Sequence, residues 1–379
     1  MEKVLNLTIP KIDFDSNLVQ LILQLEVLRN STVKIEINPS LFFQVKEIFN
    51  MIESLQSARI EGNRTTLSDY VYSKFAKTDR TEDIQEIMNI EKAISYVNTC
   101  YSEDENFKLS GHFLKELHTI ITKGLNIEGS RESGKYRTCN VSIRNALHKP
   151  PDMILVNDYM EMLINWINAK GKTQMQLLKV AIAHHSFTWI HPFDNGNGRM
   201  SRILTYAMLK QYGFDMAYLL NSTAVFCIDR NKYFDMLQKA DTGTDEGILA
   251  WCEYVLNGIN TEMKKVSKLM NKTFFTHKIV IPAINRALEL HYINQDQKQV
   301  LELSMNKKDC LIKSKDIREA LPDKTARQVT TLIAKMVSSG LLKKTEPRGR
   351  LYMINLLSKD LTRGIIESLY KENFIIETE

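Results

Sequence analysis

The sequence lacks three features that define large classes of proteins: closely spaced cysteine pairs, an apolar run long enough to span a membrane, and a signal-peptide pattern. The five cysteines are scattered and form no Cys-x-x-Cys pair, so we expect reduced, packed thiols in a cytoplasm-like compartment. No apolar run reaches the length of a membrane span, and residues 1–10 lack a signal-peptide pattern. We therefore predict a cytoplasmic protein with no membrane partner.

Three catalytic motifs are also missing. The chain has no Gly-x-Ser-x-Gly, no Gly-x-x-x-x-Gly-Lys-Ser/Thr and no His-Glu-x-x-His. These absences argue against a serine hydrolase, a P-loop kinase and a zinc hydrolase, because each of those chemistries needs its residues at that spacing. His184 is therefore interpreted as a core histidine rather than a zinc ligand.

The distribution of apolar residues indicates a mainly α-helical chain. Of its 379 residues, 44% are hydrophobic and 25% are charged, as in an ordinary globular protein with a sizeable core. There is no alternation of strand and helix patterns and no internal repeat, so we predict an all-α bundle over about residues 1–260. Apolar spacing predicts helices over residues 43–61, 82–100, 110–124, 157–168, 174–190, 199–212 and 230–240. The expected N-caps are Ser110, Asn157, Thr173 and Asp229.

The C-terminal part differs from the rest of the chain in charge. Residues 301–356 carry 12 Lys and Arg against 6 Asp and Glu, whereas the net charge of the whole chain is only +5. A short helix over residues 314–321, a longer helix over 326–338 and a hairpin that turns at Gly349 predict a winged helix.

A winged helix would use this charge in one of three ways. In a DNA complex, its second helix would face a groove and its basic wing would contact phosphates. Alternatively, the module would bind another protein or form a dimer, or its charges would only be solvated. The side chains assigned to DNA contacts in the first case are Thr325, Arg327, Gln328, Thr331, Lys343, Lys344, Arg348 and Arg350.

The run from His191 to Arg199, His-Pro-Phe-Asp-Asn-Gly-Asn-Gly-Arg, is the clearest indication of chemistry. The histidine is a candidate general base, and Gly196 and Gly198 allow backbone N–H groups to approach an anion at the start of a helical pattern. Arg199 and Arg202 lie three residues apart and offer two forks for phosphate oxygens. Gly-Asn-Gly alone is usually a turn, but the whole run indicates transfer of a phosphate-containing group.

This run resembles the signature of the Fic family, His-Pro-Phe-x-Asp/Glu-Gly-Asn-Gly/Lys-Arg, and Ala183, His184, Phe187 and Ile190 match the pattern before it. The resemblance implies a Fic-type helical bundle and an adenylyltransferase that moves AMP from ATP to a Ser, Thr or Tyr hydroxyl of a protein. The roles it implies are a general base at His191, an anion hole at Gly196, Asn197 and Gly198, and ligands of the β- and γ-phosphates at Arg199 and Arg202.

One position departs from the family pattern. The acidic residue expected before the first glycine is Asn195 here, and a carboxylate, Asp194, lies one place earlier. In the family this position binds a Mg²⁺ ion that bridges the α- and β-phosphates. An amide oxygen can coordinate Mg²⁺ but lacks the charge that a hard cation prefers. Asn195 and Asp194 are therefore alternative ligands for Mg²⁺.

An upstream segment resembles the inhibitory motif of the same family, Ser/Thr-x-x-x-Glu-Gly/Asn. Ser57, Glu61 and Gly62 match it at the end of a predicted helix, where Gly62 is a suitable C-cap. A glutamate in the last turn opposes the helix dipole, so a cationic partner would explain it; a solvated surface glutamate is the alternative. The resemblance implies that Glu61 pairs with Arg202 and occupies the space of the ATP γ-phosphate, and that in related proteins it supports removal of AMP.

Two further segments resemble family features. The run from Gly134 to Arg137 resembles the motif before a β-hairpin flap, in which Val141 and Ile143 would align a target segment by strand addition. From the residues alone, this stretch is equally well a loop. Tyr233 resembles an aromatic residue near the nucleoside, with core packing as the alternative.

We therefore predict an N-terminal helical region with the inhibitory helix (residues 1–80), a Fic catalytic core (81–260), a helical linker broken at Pro282 (261–295) and a winged-helix domain (296–379). The main alternative is a DNA-binding regulator with a sensing or inactive Fic core. A closer one is a Fic enzyme that uses another nucleotide donor or removes AMP. The expected partners are ATP, a protein target that includes the chain itself as a candidate, DNA, and a second copy in a homodimer.

Overall fold

The computed structural model describes residues 4–30, 37–75, 81–104, 106–143, 146–214, 220–307, 309–346 and 349–375. This part of the chain is mainly helical and contains one small sheet, which confirms the predicted fold class. The chain divides into two compact units, each built from segments that are discontinuous in sequence. Unit 1 comprises Met1–Thr32, Phe49–Thr65 and Asp79–Lys264, and unit 2 comprises Val33–Ile48, Thr66–Thr78 and Lys265–Glu379.

The helices predicted from apolar spacing are present, with ends that shift by a few residues. In chain order the α-helices are α1 (Asn17–Asn30), α2 (Pro39–Glu61), α3 (Leu67–Phe75), α4 (Glu82–Glu103), α5 (Gly111–Thr122), α6 (Val156–Asn168), α7 (Gln176–Ile190), α8 (Asn197–Gln211), α9 (Ala224–Cys227), α10 (Arg230–Ala240), α11 (Asp245–Leu269), α12 (Lys272–Phe274), α13 (Ile281–Glu289), α14 (Gln295–Asn306), α15 (Ser314–Ala320), α16 (Ala326–Ser338) and α17 (Lys359–Lys371). No described helix is both long enough and apolar enough to cross a bilayer.

Two of the four predicted N-caps are confirmed. The side chains of Ser110 and Asp229 accept hydrogen bonds from backbone N–H groups in the first turns of α5 and α10. The predictions for Asn157 and Thr173 are wrong, because short 3₁₀ turns precede α6 and α7. Asp152 caps the first of these turns, and Thr173 is the first residue of the second. Apolar spacing predicts the helix body better than its first turn.

The core of unit 1 surrounds α7, which is buried on nearly all sides. The indole N–H of Trp251, in α11, donates a hydrogen bond of 2.7 Å to the carbonyl of Ala181 in α7. Phe187 and Phe193, one in α7 and one just beyond it, are fully buried. The segment between α7 and α8 therefore begins and ends in rigid, packed structure.

Unit 2 contains the elements predicted for the C-terminal part of the chain. Helices α15 and α16 match the two predicted helices, and a three-stranded antiparallel sheet in the order β1-β3-β2 packs beside them. Arg348, assigned above to phosphate contacts, lies outside the described residues. The strands are β1 (Leu311–Lys313), β2 (Leu342–Lys344) and β3 (Leu351–Ile354).

The predicted helix break at Pro282 is wrong. A π-helical segment, Phe275–Val280, joins α12 to α13, and Pro282 lies in the first turn of α13. The π-helical segment, in which the N–H of Ile281 donates to the carbonyl of Thr276, leads into this turn, so the proline does not end the helix. The chain therefore continues as helix through the segment expected to bend.

The predicted β-hairpin flap is also not found in the described residues. Val141 and Ile143 are half-buried, and no strand is assigned over residues 138–143 or 146–150. Residues 144–145 lie outside the described part. An isolated two-stranded hairpin is at best marginally stable, and here buried side-chain donors take some of the backbone carbonyls instead.

A close contact between α13 and α17 gives a test of the fold. A Cβ atom added to Gly364, in α17, would lie 2.7 Å from the carbonyl oxygen and 2.8 Å from the Cα of Ala283 in α13. We expect Gly364→Ala to lower the free energy of unfolding by about 1–3 kcal/mol, because backbone atoms must move. Gly171→Ala is the control, since its Cβ would meet no atom within 4 Å. Calorimetric unfolding of both variants measures this, and equal stability would contradict the packing.

Candidate active site

His191 follows α7 in a left-handed backbone conformation, with φ of 51°. A non-glycine residue in this region is strained and needs the surrounding structure to hold it there. Its N–H donates to the carbonyl of Phe187, and its Nδ1 atom lies 3.4 Å from the carbonyl oxygen of Thr188. A proton on Nδ1 that faces this carbonyl leaves a lone pair on Nε2.

The imidazole of His191 is neutral at physiological pH. Burial lowers the pKa of His191 to about 4, and the positive charge of Arg137 contributes in the same direction. A neutral imidazole with a free lone pair can accept a proton, as a general base requires.

The loop from Phe193 to Asn197 is closed by side-chain hydrogen bonds. Asn197 accepts from the N–H of Phe193 and donates to its carbonyl, both at 2.9 Å. His118 stacks on the Phe193 ring at 3.7 Å and accepts a bond of 2.9 Å from the N–H of Gly134 through Nδ1. Its Nε2 therefore donates to the carbonyl of Asn195. His118 was not predicted from the sequence, and burial lowers its pKa to about 4.

The N-terminus of α8 lies beside this loop. Gly196 precedes α8 with φ of 77°, which glycine adopts without strain. A Cβ atom on Gly198 would overlap the Glu61 carboxylate. The carboxylate thus lies against the first turn of α8, where unpaired N–H groups and the helix dipole favour an anion.

Glu61 also forms an ion pair with Arg202, with 2.6 Å between Oε1 and Nη2. Arg202 is buried and donates from Nε to the Ser57 hydroxyl at 2.9 Å and from Nη2 to the Ser57 carbonyl at 3.0 Å. Burial alone would raise the pKa of Glu61, but the charges of Arg202 and Arg199 lower it. Gly62, with φ of 113°, ends α2 directly after Glu61. The predicted residues of the inhibitory segment therefore meet Arg202.

The guanidinium of Arg199 contacts carboxyl groups in this structure and is not open to a phosphate. It is fully buried, and its Nη1 and Nη2 atoms lie 3.1 Å from Glu86 and 3.2 Å from Glu128. Burial raises the pKa of Glu86 to about 7, and Asn63 donates to this carboxylate at 2.8 Å. Glu86 and Glu128 were not predicted from the sequence. A charged residue on the apolar face of α4 was the available signal for Glu86.

The two candidate Mg²⁺ ligands have different surroundings. Asp194 accepts from the Ser130 hydroxyl and from the N–H of Arg131, whereas the amide nitrogen of Asn195 donates to the carbonyl of Gly129 at 3.1 Å. Burial alone would raise the pKa of Asp194, but these hydrogen bonds lower it, so the carboxylate is ionised. One charged oxygen ligand fits a divalent cation whose other ligands are phosphate and water oxygens. No described group of three or more His, Cys, Asp or Glu side chains is placed to hold a metal.

Tyr233 is 2% exposed, and its hydroxyl lies 2.9 Å from Nε2 of His184. The other ring nitrogen of His184 lies 2.7 Å from the hydroxyl of Thr205, and Tyr233 also interacts with Arg202. The structure thus places both aromatic side chains in the packed core behind Arg202. A contact between Tyr233 and a nucleoside stays a prediction.

A comparison with known protein families matches the part of the chain that contains His191 and most of α8. Residues 108–209, which include α5 to most of α8, match the model of the Fic/DOC family. Over these residues the chain is similar to a Fic domain. They include His118, His191, the Phe193–Asn197 loop and Arg202, whereas Glu61 lies outside the matched residues.

Relatives and solved structures resemble the chain around the Fic domain. Protein adenylyltransferase Fic of Culex quinquefasciatus is 29% identical over 192 residues, which are 49% of this chain and 36% of that protein. The protein of the same name from Nematostella vectensis is 28% identical over 193 residues, 49% of this chain and 42% of that protein. The match thus spans well under half the length of these relatives.

Two solved structures show the same fold at lower identity. A Fic family protein from Desulfovibrio desulfuricans has a TM-score of 0.56 at 19% identity, and the match covers 91% of this chain and 97% of that one. A Fic domain containing signaling protein from Bacteroides thetaiotaomicron has a TM-score of 0.52 at 18% identity, covering 67% and 97%.

Buried histidines in this domain predict a pH dependence of stability. Burial lowers the pKa values of His118, His184 and His191 from the value near 6.5 of an unfolded chain. Below about pH 6.5 the unfolded chain therefore binds more protons than the folded one, so stability falls as pH is lowered toward 4. Urea titrations between pH 7 and 5 measure this slope. We expect His191→Gln to flatten this slope, and a slope equal to that of the wild type would contradict the contribution of His191.

Proposed function

We propose that the chain is a protein adenylyltransferase that moves AMP from ATP to a hydroxyl of a protein side chain. The observation that carries this proposal is the fixed placement of a neutral His191 directly before the anion-attracting N-terminus of α8. The names of the two relatives above support the same reaction class.

In the proposed reaction, Nε2 of His191 accepts the proton of the target hydroxyl. The hydroxyl oxygen then attacks the α-phosphorus of ATP, and the bond from that phosphorus to the oxygen bridging the α- and β-phosphates breaks. Pyrophosphate carries away the electron pair of this bond. The N–H groups of Asn197 and Gly198, together with Arg202, would stabilise the negative charge on the phosphates, whereas the N–H of Gly196 donates to the side chain of Asn195.

Mg²⁺ is the cofactor that we propose for this site. Asp194 would be its charged ligand, and the amide oxygen of Asn195, which accepts from the N–H of Gly196 at 2.7 Å, would be the alternative. When bound, such an ion neutralises phosphate charge.

The contact of Glu61 would keep the resting enzyme weak. Its carboxylate occupies the position against Gly198 where a phosphate would bind, and it withholds Arg202. Because 28% of the Glu61 side chain is exposed, it lies at the edge of the site, where an incoming anion would meet it. ATP would therefore have to displace one carboxylate before its terminal phosphates reach the arginine.

We expect Glu61→Gln to increase AMP transfer by about tenfold or more, because loss of the carboxylate charge frees Arg202; tenfold corresponds to about 1.4 kcal/mol. Glu61→Gly should do the same, whereas Glu47→Gln, an exposed glutamate on the same helix, should change nothing. The measurement is transfer of label from α-labelled ATP to proteins of a cell lysate or to the chain itself, with Mg²⁺ present.

A second set of variants and labelled nucleotides completes this experiment. Adding His191→Ala to Glu61→Gln should abolish transfer while calorimetry still detects ATP binding. Transfer of label from γ-labelled ATP would show that the chain transfers a phosphoryl group and not AMP. Equal activity of wild type and Glu61→Gln would show that Glu61 has no inhibitory role. UTP and GTP in place of ATP would test the alternative donors.

A second candidate function is DNA binding by unit 2. No Asp or Glu occurs from Lys324 to Thr345, and four basic side chains of this stretch are exposed: Arg327, Lys335, Lys343 and Lys344. None of these four forms an ion pair with a described residue. An acid-free, basic surface on a helix and the adjacent strand fits a nucleic-acid backbone.

Three of the predicted groove contacts have another role in the structure. Thr325 and Gln328 form a capping box at the start of α16, in which the side chain of each bonds the backbone N–H of the other. The hydroxyl of Thr331 donates to the carbonyl of Arg327 at 3.0 Å. The basic side chains, rather than these polar ones, are therefore the better candidates for DNA contacts.

We expect the pair Lys343→Glu and Lys344→Glu to weaken binding of duplex DNA by about tenfold or more at low salt. The slope of log affinity against log salt should fall by about two, since two phosphate contacts are lost. Lys170→Glu with Lys172→Glu is the matched control, with the same charge change in the loop before α7. Fluorescence anisotropy over a salt series measures both. Absence of binding, or equal loss in the control, would leave protein binding or dimerisation as the role of unit 2.

A further inference from the structure

Arg137 lies beside the candidate base and makes an unusual set of contacts for a buried charge. Only 4% of it is exposed, and its guanidinium donates to three backbone carbonyls: from Nε to His191 at 2.9 Å, from Nη1 to Cys139 at 2.9 Å and from Nη2 to Pro151 at 2.6 Å. Its own N–H donates to the carbonyl of Pro192 at 2.8 Å. One residue thus joins three separate stretches of backbone.

Two of these carbonyls bracket a single segment. Residues 139 and 151 lie on either side of Val141 and Ile143, which are predicted to align a target segment; we call residues 139–143 and 146–151 the docking segment. No strand in its described part holds the docking segment in place. Its two ends are therefore held by the side chain of Arg137.

The third carbonyl belongs to the strained residue. His191 has φ of 51°, and the direction of its imidazole depends on that backbone conformation. Arg137 holds the carbonyl of His191 with Nε and lies 3.5 Å from the carbonyl of Ile190 with Nη2. Only a planar guanidinium presents several donors in this fixed arrangement; a lysine ammonium is a single point of charge.

We propose that Arg137 is a positioning residue that sets the orientation of His191 and, through the same side chain, its distance from the docking segment. The proposal rests on the AMP-transfer function above. Arg137 would thus couple alignment of the target hydroxyl to the base that accepts its proton. None of the carbonyls bound by Arg137 belongs to α8, so binding of the ATP phosphates would not depend on it.

The test compares Arg137→Lys and Arg137→Met with Arg318→Met, an exposed arginine in α15. Transfer of α-label should fall about 10- to 100-fold in both Arg137 variants, because small displacements of a base cost this much. The Kd for ATP, measured by calorimetry, should stay within about twofold of wild type. Arg318→Met should match wild type in both measurements.

A readout independent of activity separates this proposal from the proposed function. In ¹⁵N-histidine spectra, wild-type His191 should show the neutral tautomer protonated on Nδ1, and Arg137→Lys should show an averaged or altered tautomer signal. If these spectra are observed but no variant transfers label, the positioning role of Arg137 is supported and the proposed transferase function is contradicted. Full transfer by Arg137→Lys, or unchanged His191 signals with parallel losses of ATP affinity and thermal stability, would overturn the positioning role.

Discussion

The arrangement of the site depends on a carboxylate held against the N-terminus of a helix. At the end of α2, Glu61 is in an unfavourable position with respect to the dipole of its own helix. The first turn of α8 and the guanidinium of Arg202 reverse this, because both favour a negative charge at the same point. An anion site that the fold creates is thus filled by a group of the same chain.

Charge balance in this region follows from burial. Arg199 and Arg202 are both buried, and their guanidinium groups remain charged, so carboxyl groups beside them lower the cost of burial. Glu61, Glu86 and Glu128 lie within ion-pair distance of these two arginines. Any phosphate that binds the arginines would therefore exchange one set of anions for another, and the free energy of binding would be the difference between the two.

The geometry of the Phe193–Asn197 loop comes from hydrogen bonds to backbone atoms. Asn197 and His118 hold the loop through backbone N–H and carbonyl groups, and the guanidinium of Arg137 donates to the carbonyl of His191 just before it. These contacts orient the loop without adding negative charge to it. They also explain how His191 keeps a strained backbone conformation.

Local sequence patterns predict the helices and carry the resemblance to a Fic domain. Apolar periodicity is a short-range property, so it predicted the bodies of the helices, and the run from His191 to Arg199 carries its chemistry within nine residues. The pairing of Glu61 with Arg202 was accessible only through the family resemblance. Helix starts at α6 and α7 were missed because 3₁₀ turns leave no clear pattern.

The contacts between buried groups depend on the tertiary structure. Arg199 pairs with Glu86, and Tyr233 is buried in the core. In both cases the residues that meet are far apart in sequence. The docking segment was expected to pair as strands, but the donors of Arg137 take carbonyls at its ends. Such contacts depend on the approach of whole helices and loops, and a local pattern does not encode which charged or polar group lies opposite.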